Sequence, residues 1–360
     1  MKKQHNYCVI LAGGIGKRLW PCSTKKCPKQ FIDFFGTGQT LLQQTYERVS
    51  RFILPQNIFV STFIDYADLV AEQLPNMSKG NILAEPVRLS TAPAVTWASY
   101  HIGIHDAGAN IFVVPCDQLI LDEKRFAEEV EDGLDFVEKN KVFLAMGVKA
   151  TQPNTAYGYI QIGHEESEGL YTVKSFMEKP NESFAKMFVE SGEFLWNTGL
   201  FAWNFQTMRL LLHEIMPQVE ETLSQLKDIS LEEELNLVKH YYSMNMHRSI
   251  DLIVLERKKN VFVKECFFGW ADLGNWPDMR AAEKKDVDGN AVVGHNTVMF
   301  SGSQNNVVCL PEKMTAVVQG LDGFLVAMNN NILVICPDND PALVRRLFNE
   351  VQFTLGDEYV

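Results

Sequence analysis

At 360 residues the chain has room for about two domains, and 46% hydrophobic, 22% charged and 11% aromatic residues is the composition of a folded globular protein rather than a disordered one. Thirty-three lysines and arginines against 45 aspartates and glutamates leave a net charge of −12, which argues against a nucleic-acid partner. No stretch approaches the roughly eighteen apolar residues of a membrane span, and the first apolar run, Tyr7 to Ala12, is too short for a signal-peptide core, so the expected location is the cytoplasm, away from any membrane.

Through residue 150, YCVILA, NIFVST, NILAEP, NIFVVP and KVFLAMGV predict strands. Between them LLQQTYERVSRF, Tyr66 to Leu74, APAVTWASYHIGI and KRFAEEVEDGLDFVEK predict helices. The strands are continuous apolar runs rather than alternating ones, so both faces are covered. That predicts an α/β fold with a mostly parallel, doubly wound sheet and ligands beyond the carboxyl ends of its strands. YGYIQI, YTVKSFME and NVFVKE extend the sheet, around a substrate-facing helical insertion between Phe205 and Leu255. DVDGN (Asp286 to Asn290) marks a junction, and six short apolar runs from Ala291 to Cys336 predict a small all-β domain or β-solenoid, with no long-period repeat visible. Asp340 as a cap and Pro341 at the first helical position predict a last helix to about Phe353. The expected domains are residues 1–285 and 286–360. Seven cysteines, odd in number and without a CxxC pair, predict reduced, buried thiols.

The strongest chemical signal is VILAGGIGKRLWPCSTKKCPKQF, residues 9 to 31. A strand ends at Ala12, Gly13, Gly14 and Gly16 let backbone N–H groups approach a phosphate, and Arg18, Lys25, Lys26 and Lys29 add positive charge. Leu19 stands where a dinucleotide fingerprint needs its third glycine. Arg18 after Lys17, and Leu11 at the first glycine position, exclude a Walker loop. From local sequence alone, Asp117 reads equally as a metal ligand or a helix cap, and Asp272 as a ligand or a turn residue. Lys179 reads as a phosphate clamp or as a strand-end surface lysine. The eight histidines form no HxxxH or HExxH pattern.

The segment resembles the signature of the sugar-nucleotide pyrophosphorylases, and LWP with PKQF resembles the mannose-1-phosphate guanylyltransferases among them. In order, EPVRLSTAPA (Glu85 to Ala94) is similar to that family's base-binding loop, and VVPCDQ (Val113 to Gln118) to its metal-aspartate strand end. YGYI, FMEKP and WNTGLFAW (Trp196 to Trp203) are similar to its sugar site, and GWADLGNW (Gly269 to Trp276) to its second aspartate motif. Four positions depart from the family pattern, at Thr24, Leu89, Ser90 and Gln118.

The resemblance implies a Rossmann-like nucleotidyltransferase sheet with a β-helix-like C-terminal domain. It implies transfer of GMP from GTP to α-D-mannose 1-phosphate, giving GDP-mannose and pyrophosphate, without a covalent intermediate. The sugar phosphate is already ionised, so the reaction needs positioning and charge neutralisation rather than a general base. Arg18 and Lys29 suit the triphosphate, and Mg²⁺ on Asp117 and Asp272 suits a hard, oxygen-seeking cation. Leu11, Ala12, Gly13, Gly14, Gly16, Lys17, Glu85, Pro86, Thr91 and Ala92 are implied to face the nucleotide. Gly158, Glu178, Lys179, Asn197 and Gly199 are implied to face the sugar phosphate. Trp196, Trp203, Phe267, Phe268 and Trp270 wall the sugar pocket or belong to the core. Glu85 either accepts guanine N1–H and N2–H or caps the next helix and pairs with Arg88. A homodimer through the β domain is expected. Longer family members carry a fused isomerase, and a single activity is expected here. The rivals are a sister enzyme for another base or sugar, such as a heptose, and a non-catalytic GDP-sugar-binding paralogue. The presence of Arg18, Lys29, Asp117 and Asp272 favours catalysis.

Overall fold

A computed structural model describes every residue except Met1, Asp228, Asn245, Met246, Lys258 and Pro341, with backbone alone at Leu231. The chain packs as two compact units, each assembled from separate stretches of sequence. The first comprises Met1–Gly13, Tyr46–Pro115 and Ile120–Trp270, the second Gly14–Thr45, Cys116–Leu119 and Ala271–Val360. Packing therefore groups residues differently from the linear boundary expected at residue 285. The glycine-rich segment buries Leu19, Trp20 and Phe34 in one cluster with Trp276, Val307 and Phe348.

The strands in chain order are β1 (Asn6–Leu11), β2 (Ile58–Phe63), β3 (Ile82–Glu85), β4 (Asn110–Pro115), β5 (Gln118–Ile120), β6 (Phe143–Lys149), β7 (Tyr159–Ser167), β8 (Leu170–Met177), β9 (Phe194–Asn204), β10 (Val261–Glu265) and β11 (Trp270–Asp272). Nine of them form one sheet in the order β3-β2-β1-β4-β9-β6-β10-β8-β7, while β5 and β11 form a separate ribbon. Of the nine, β8 and β9 run opposite to the other seven, so the sheet is mostly parallel. Strand β9 is not evident in the sequence pattern. WNTGLFAW lies inside it, and its antiparallel pairing with both β4 and β6 buries Phe201 and Trp203 completely.

The predicted helices are found at Leu41–Ser50, Ala67–Gln73, Thr91–Gly103 and Glu123–Asn140, and among the described residues four more α-helices fill the insertion from Phe205 to Leu255. Thr91–Gly103 is apolar on nearly every face and accordingly buried almost throughout, as a central helix must be. Ser230 opens the insertion helix Leu231–Ser243 with a reciprocal capping box to Glu233, which satisfies two orphan N–H groups at once.

In the second unit the six expected β runs appear as β12 (Ala291–Val293), β13 (Thr297–Ser301), β14 (Val307–Cys309), β15 (Thr315–Gln319), β16 (Phe324–Asn329) and β17 (Ile332–Pro337). Parallel register pairs Ala291 with Val307, Val307 with Leu325, and Thr297 with Thr315, so successive coils stack at spacings of 16 to 18 residues. This is a solenoid whose period the sequence conceals. What repeats is a left-handed corner, at Gly289, Asn305 and Gly323, followed by a position that is buried asparagine in two of the three coils. Asn306 donates to Asn290 Oδ1 at 2.9 Å and to the Leu321 carbonyl, a polar ladder through the stack. Strand β17 turns back antiparallel on β16 and ends the sheet. The closing helix spans Leu343–Thr354 and starts later than expected: its N-cap residue is Ala342, without a side-chain cap, and Asp340 instead closes the preceding turn by accepting from the Ala342 N–H at 2.8 Å. The expected role of Pro341 lies outside the described residues.

Asp338 follows β17, buried, and burial pushes its carboxyl up to about 7 despite Arg280 Nε at 3.4 Å. Its folded pKa exceeds the unfolded value, so the folded state holds the proton more tightly. The ionisation penalty is absent below about pH 4, grows as pH rises through about 7, and is full above it. Asp338→Asn is expected to raise Tm at about pH 8 and to leave it nearly unchanged near pH 4, as measured by thermal melts across that range.

Candidate active site

The phosphate-loop candidates lie in the second unit. Gly16 has φ +69°, and a Cβ there would come within 2.6 Å of Ser23 Oγ, so the turn requires glycine. Ser23 is the hub of the loop, donating to the Ile15 carbonyl at 2.7 Å and accepting the Lys29 N–H at 2.8 Å. Gln30 Nε2 reaches back to the Gly14 carbonyl at 3.0 Å. Two of the predicted loop cations are committed elsewhere. Lys17 stands over the Phe348 ring at 4.7 Å and donates to Asn349, and Lys25 pairs with Asp357 at 2.6 Å, so both brace the C-terminal segment. Thr24 is buried and accepts from the Cys27 N–H.

Lys29, by contrast, is buried with its ammonium paired to Asp117 and donating to the Leu273 carbonyl at 3.2 Å. Burial alone would lower its pKa, but the fields of Asp117 and Asp272 outweigh that and raise it, so the cation persists. The Leu273 N–H donates to the Asp117 carbonyl at 3.1 Å, which draws the two aspartate motifs together. Arg18 lies beside Asp272 across Gly274, where a Cβ would come within 2.7 Å of its Nη2. A third carboxyl, Asp278, is pushed up to about 7 by burial and by Asp272, and holds Asn275 Nδ2 at 2.5 Å. Among the described residues no group of three or more histidine, cysteine or acidic side chains converges as a metal site. The pair Asp117 and Asp272 suits a hard cation that completes its shell with ligand oxygens.

The base-loop and sugar candidates lie in the first unit. Leu11 ends β1, and Ala12 continues its pairing through the Ser61 carbonyl at 2.8 Å. Gly13 follows beside Glu85, a Cβ there falling 3.5 Å from Glu85 Oε1. Glu85 is buried; Oε1 accepts from Ser61 Oγ at 3.0 Å and Oε2 from the Tyr242 hydroxyl at 2.9 Å. Burial pushes its carboxyl up to about 7 against those two hydrogen bonds. Arg88 does not pair with it but stacks on Phe63 at 3.7 Å and Tyr66 at 4.9 Å. Pro86 and Leu89 are half-buried, and Ser90 precedes the helix Thr91–Gly103 without a side-chain cap. Thr91 and Ala92 bond to the insertion, at the Ile250 N–H and the Arg248 carbonyl.

Asn197 is the centre of the sugar cluster. Its backbone N–H meets the Gly158 carbonyl at 2.8 Å, its Oδ1 accepts from the Gly199 N–H, and its Nδ2 donates to Asp251 at 2.6 Å. Burial raises the Asp251 pKa while the Asn197 bond opposes that. Glu178 approaches Gly158 so closely that a Cβ would lie 3.0 Å from its carboxylate, and it pairs with Lys179 at 2.9 Å. Lys179 itself is left-handed, at φ +44°. Of the aromatic wall candidates, Trp196 and Trp270 both stand edge-on to Tyr157 at 5.2 Å, with buried indole N–H groups that make no hydrogen bond. Trp203 and Phe268 are core, and Phe267 is exposed under Arg125. Sequence reasoning missed Ser61, Tyr242, Asp251 and Asp278. Asp251 opens an apolar helix, where an acid reads as pairing with the helix dipole, and Tyr242 lies 157 positions from its partner.

A family model described as nucleotidyl transferase matches residues 7–289. The alginate biosynthesis protein AlgA of Pseudomonas fluorescens is 32% identical over 97% of this chain and 72% of that protein. A mannose-1-phosphate guanylyltransferase of Salmonella muenchen is 28% identical over 98% of this chain and 74% of that protein. A crystal structure from Thermus thermophilus, named a mannose-1-phosphate geranyltransferase, superposes with a TM-score of 0.84 at 28% identity, covering 97% of this chain and 100% of that one.

Removing the Lys29 charge leaves Asp117 and Asp272 repelling each other inside the protein. Lys29→Met is expected to cost about 3 kcal/mol of stability, and the double variant Lys29→Met, Asp117→Asn to recover most of it, as read from denaturant melts.

Proposed function

The chain belongs to the nucleotidyl transferase family, and from that premise we propose that it transfers GMP from GTP to α-D-mannose 1-phosphate, forming GDP-mannose and releasing pyrophosphate. The observation that carries this reading is the Lys29 ammonium buried against Asp117 and Asp272, with Arg18 alongside. An ionised sugar phosphate attacks the α-phosphorus; the new P–O bond forms as the bond to pyrophosphate breaks, and negative charge collects on the departing group. No proton needs to be removed, so neutralising and aligning charge is the task.

Asp117 and the Leu273 carbonyl use two of the three Lys29 donors, and the third goes to the triphosphate. Arg18 offers its fork to the same oxygens. Gly14 and Gly16 allow the close backbone approach. Family members generally work with a divalent cation; Asp117 and Asp272 would hold it here as Mg²⁺, and its chemistry would be to neutralise phosphate charge. Glu178, Asn197 and the Gly158 backbone take sugar hydroxyls, and Lys179 takes the sugar phosphate. Asp251, by holding the Asn197 amide, sets its direction. Leu11, Ala12, Gly13 and Glu85 face the guanine, whose N1–H and N2–H are two adjacent donors for one carboxylate, whereas adenine N1 is an acceptor. Thr91 and Ala92, on the nucleotide side of the base loop, also fix that loop to the insertion.

No helix among the described residues is long and apolar enough to cross a membrane. The use of GTP assigns the reaction to the cytoplasm. A second copy docks on the solenoid, where Leu333 and Ile335 of the terminal strand β17 and Val317 of β15 are exposed.

Pyrophosphate release with four nucleoside triphosphates against mannose, glucose and heptose 1-phosphates tests the assignment; GTP with mannose 1-phosphate should be the best pair, and a preference for ATP or UTP overturns it. Asp117→Asn and Asp272→Asn should each abolish magnesium-dependent turnover, since an amide does not replace a carboxylate at a hard cation. Glu85→Gln should narrow the GTP over ATP ratio of kcat/KM by roughly tenfold.

A further inference from the structure

We propose that Tyr242, reaching from the helical insertion, keeps Glu85 anionic for the guanine base and thereby sets both base choice and the pH at which GTP is accepted. The inference rests on the guanylyl reading above, with Glu85 as its base reader.

The geometry commits each carboxylate oxygen of Glu85 to one hydroxyl, Ser61 on β2 and Tyr242 on the helix Leu231–Ser243. A carboxylate oxygen accepts two hydrogen bonds, so one acceptor site remains on each, matching the two donors of the guanine edge. Among the described residues no lysine or arginine pairs with Glu85. The groups facing it are the Ser61 hydroxyl from β2, Tyr242 and Tyr241 from the insertion helix, and Gly13 after β1. Hydroxyls alone therefore hold its charge.

Tyr242 can only be the donor in this pair. Its burial, together with the nearby carboxylate, drives the phenol far above its ordinary pKa, so it does not ionise at any working pH. Burial meanwhile carries Glu85 up to about 7, into the range where loss of one donor decides between acid and carboxylate. A protonated Glu85 would present an O–H to the guanine donors and lose an acceptor. The aromatic ring of Tyr242 has a separate packing role, edge-on to Trp97 at 6.2 Å and to Tyr241 at 5.3 Å. Phenylalanine preserves those contacts and deletes the hydroxyl alone.

The experiment measures kcat/KM for GTP and for ATP with mannose 1-phosphate, from about pH 5.5 to about pH 9, on the full chain, Tyr242→Phe and Glu85→Gln. Tyr242→Phe should move the acid limb of the GTP profile upward by about one pH unit or more. Its GTP efficiency should fall roughly tenfold near neutrality and recover at the alkaline end, while ATP, whose N1 accepts from a protonated Glu85, should not lose efficiency in that range. Difluorotyrosine placed at position 242, a stronger donor, should move the limb the other way, and serves if the phenylalanine variant does not fold. A limb that stays in place in these variants while Glu85→Gln still narrows the GTP preference overturns the role of Tyr242 and leaves the base reader standing. An unchanged preference in Glu85→Gln overturns the base reader itself.

Discussion

Burying an ammonium away from water is expensive, and Lys29 tolerates it because Asp117 and Asp272 present their charge to the same point. The dependence is mutual. Two carboxylates drawn together by the Leu273 N–H on the Asp117 carbonyl would repel each other without the lysine; Asp278, raised first by burial, is raised further by Asp272 in the same way. The lysine thus fixes a constellation of charge before any triphosphate arrives. Under the proposed function, a divalent cation would meet carboxylates that are already positioned, which is preorganisation of the kind phosphoryl chemistry draws on.

The two halves of the chemistry hold buried charge in opposite ways. Lys29 is held by counter-charge, so its ionisation is secure across the physiological range. Glu85 is held by the Ser61 and Tyr242 hydroxyls, which are neutral and weaker, and its ionisation sits near the middle of that range. In the proposed reaction, phosphate handling would need a constant field, which an ion pair supplies, and base reading would need open acceptor sites, which a salt bridge on Glu85 would occupy.

Most of the fold was legible from residue pattern. Continuous apolar runs marked β1, β2, β4 and β6 because those strands are covered on both faces, and the solenoid strands were marked by Gly and Asn punctuation between short runs. Strand β9 was hidden because Asn197, Thr198 and Gly199 interrupt its apolar pattern; the Asn197 amide holds Asp251, Thr198 bonds the Met146 carbonyl, and the Gly199 N–H meets Asn197 Oδ1. The solenoid period was hidden because the ladder position is buried Asn290, then buried Asn306, then half-buried Phe324, and the spacing changes between coils. In the candidate site, Lys29, Asp117, Asp272, Glu85 and Asn197 were singled out by local motif, and each has polar or charged partners in the fold. Lys17 and Lys25 shared that motif but serve the C-terminal helix and its tail, because a loop lysine carries no mark of which way it points. Tyr242 and Asp251 act through partners distant in sequence, and a single chain without its fold holds no trace of such pairs.

The second unit is stitched from three separated stretches of the chain, and this orders events during synthesis. Leu19, Trp20 and Phe34 leave the ribosome early, but the residues that bury them, Trp276, Val307 and Phe348, are made much later. Trp20 even donates its indole N–H to the carbonyl of Tyr359, 339 positions further on. The nascent chain therefore carries its glycine-rich loop as an apolar, unshielded segment through most of translation, while the sheet of the first unit can already close around β1. That makes the loop the natural point of chaperone contact and of misassociation between nascent chains. It also ties the finished packing of the glycine-rich loop to the arrival of the helix Leu343–Thr354, whose Phe348 and Asn349 hold Lys17.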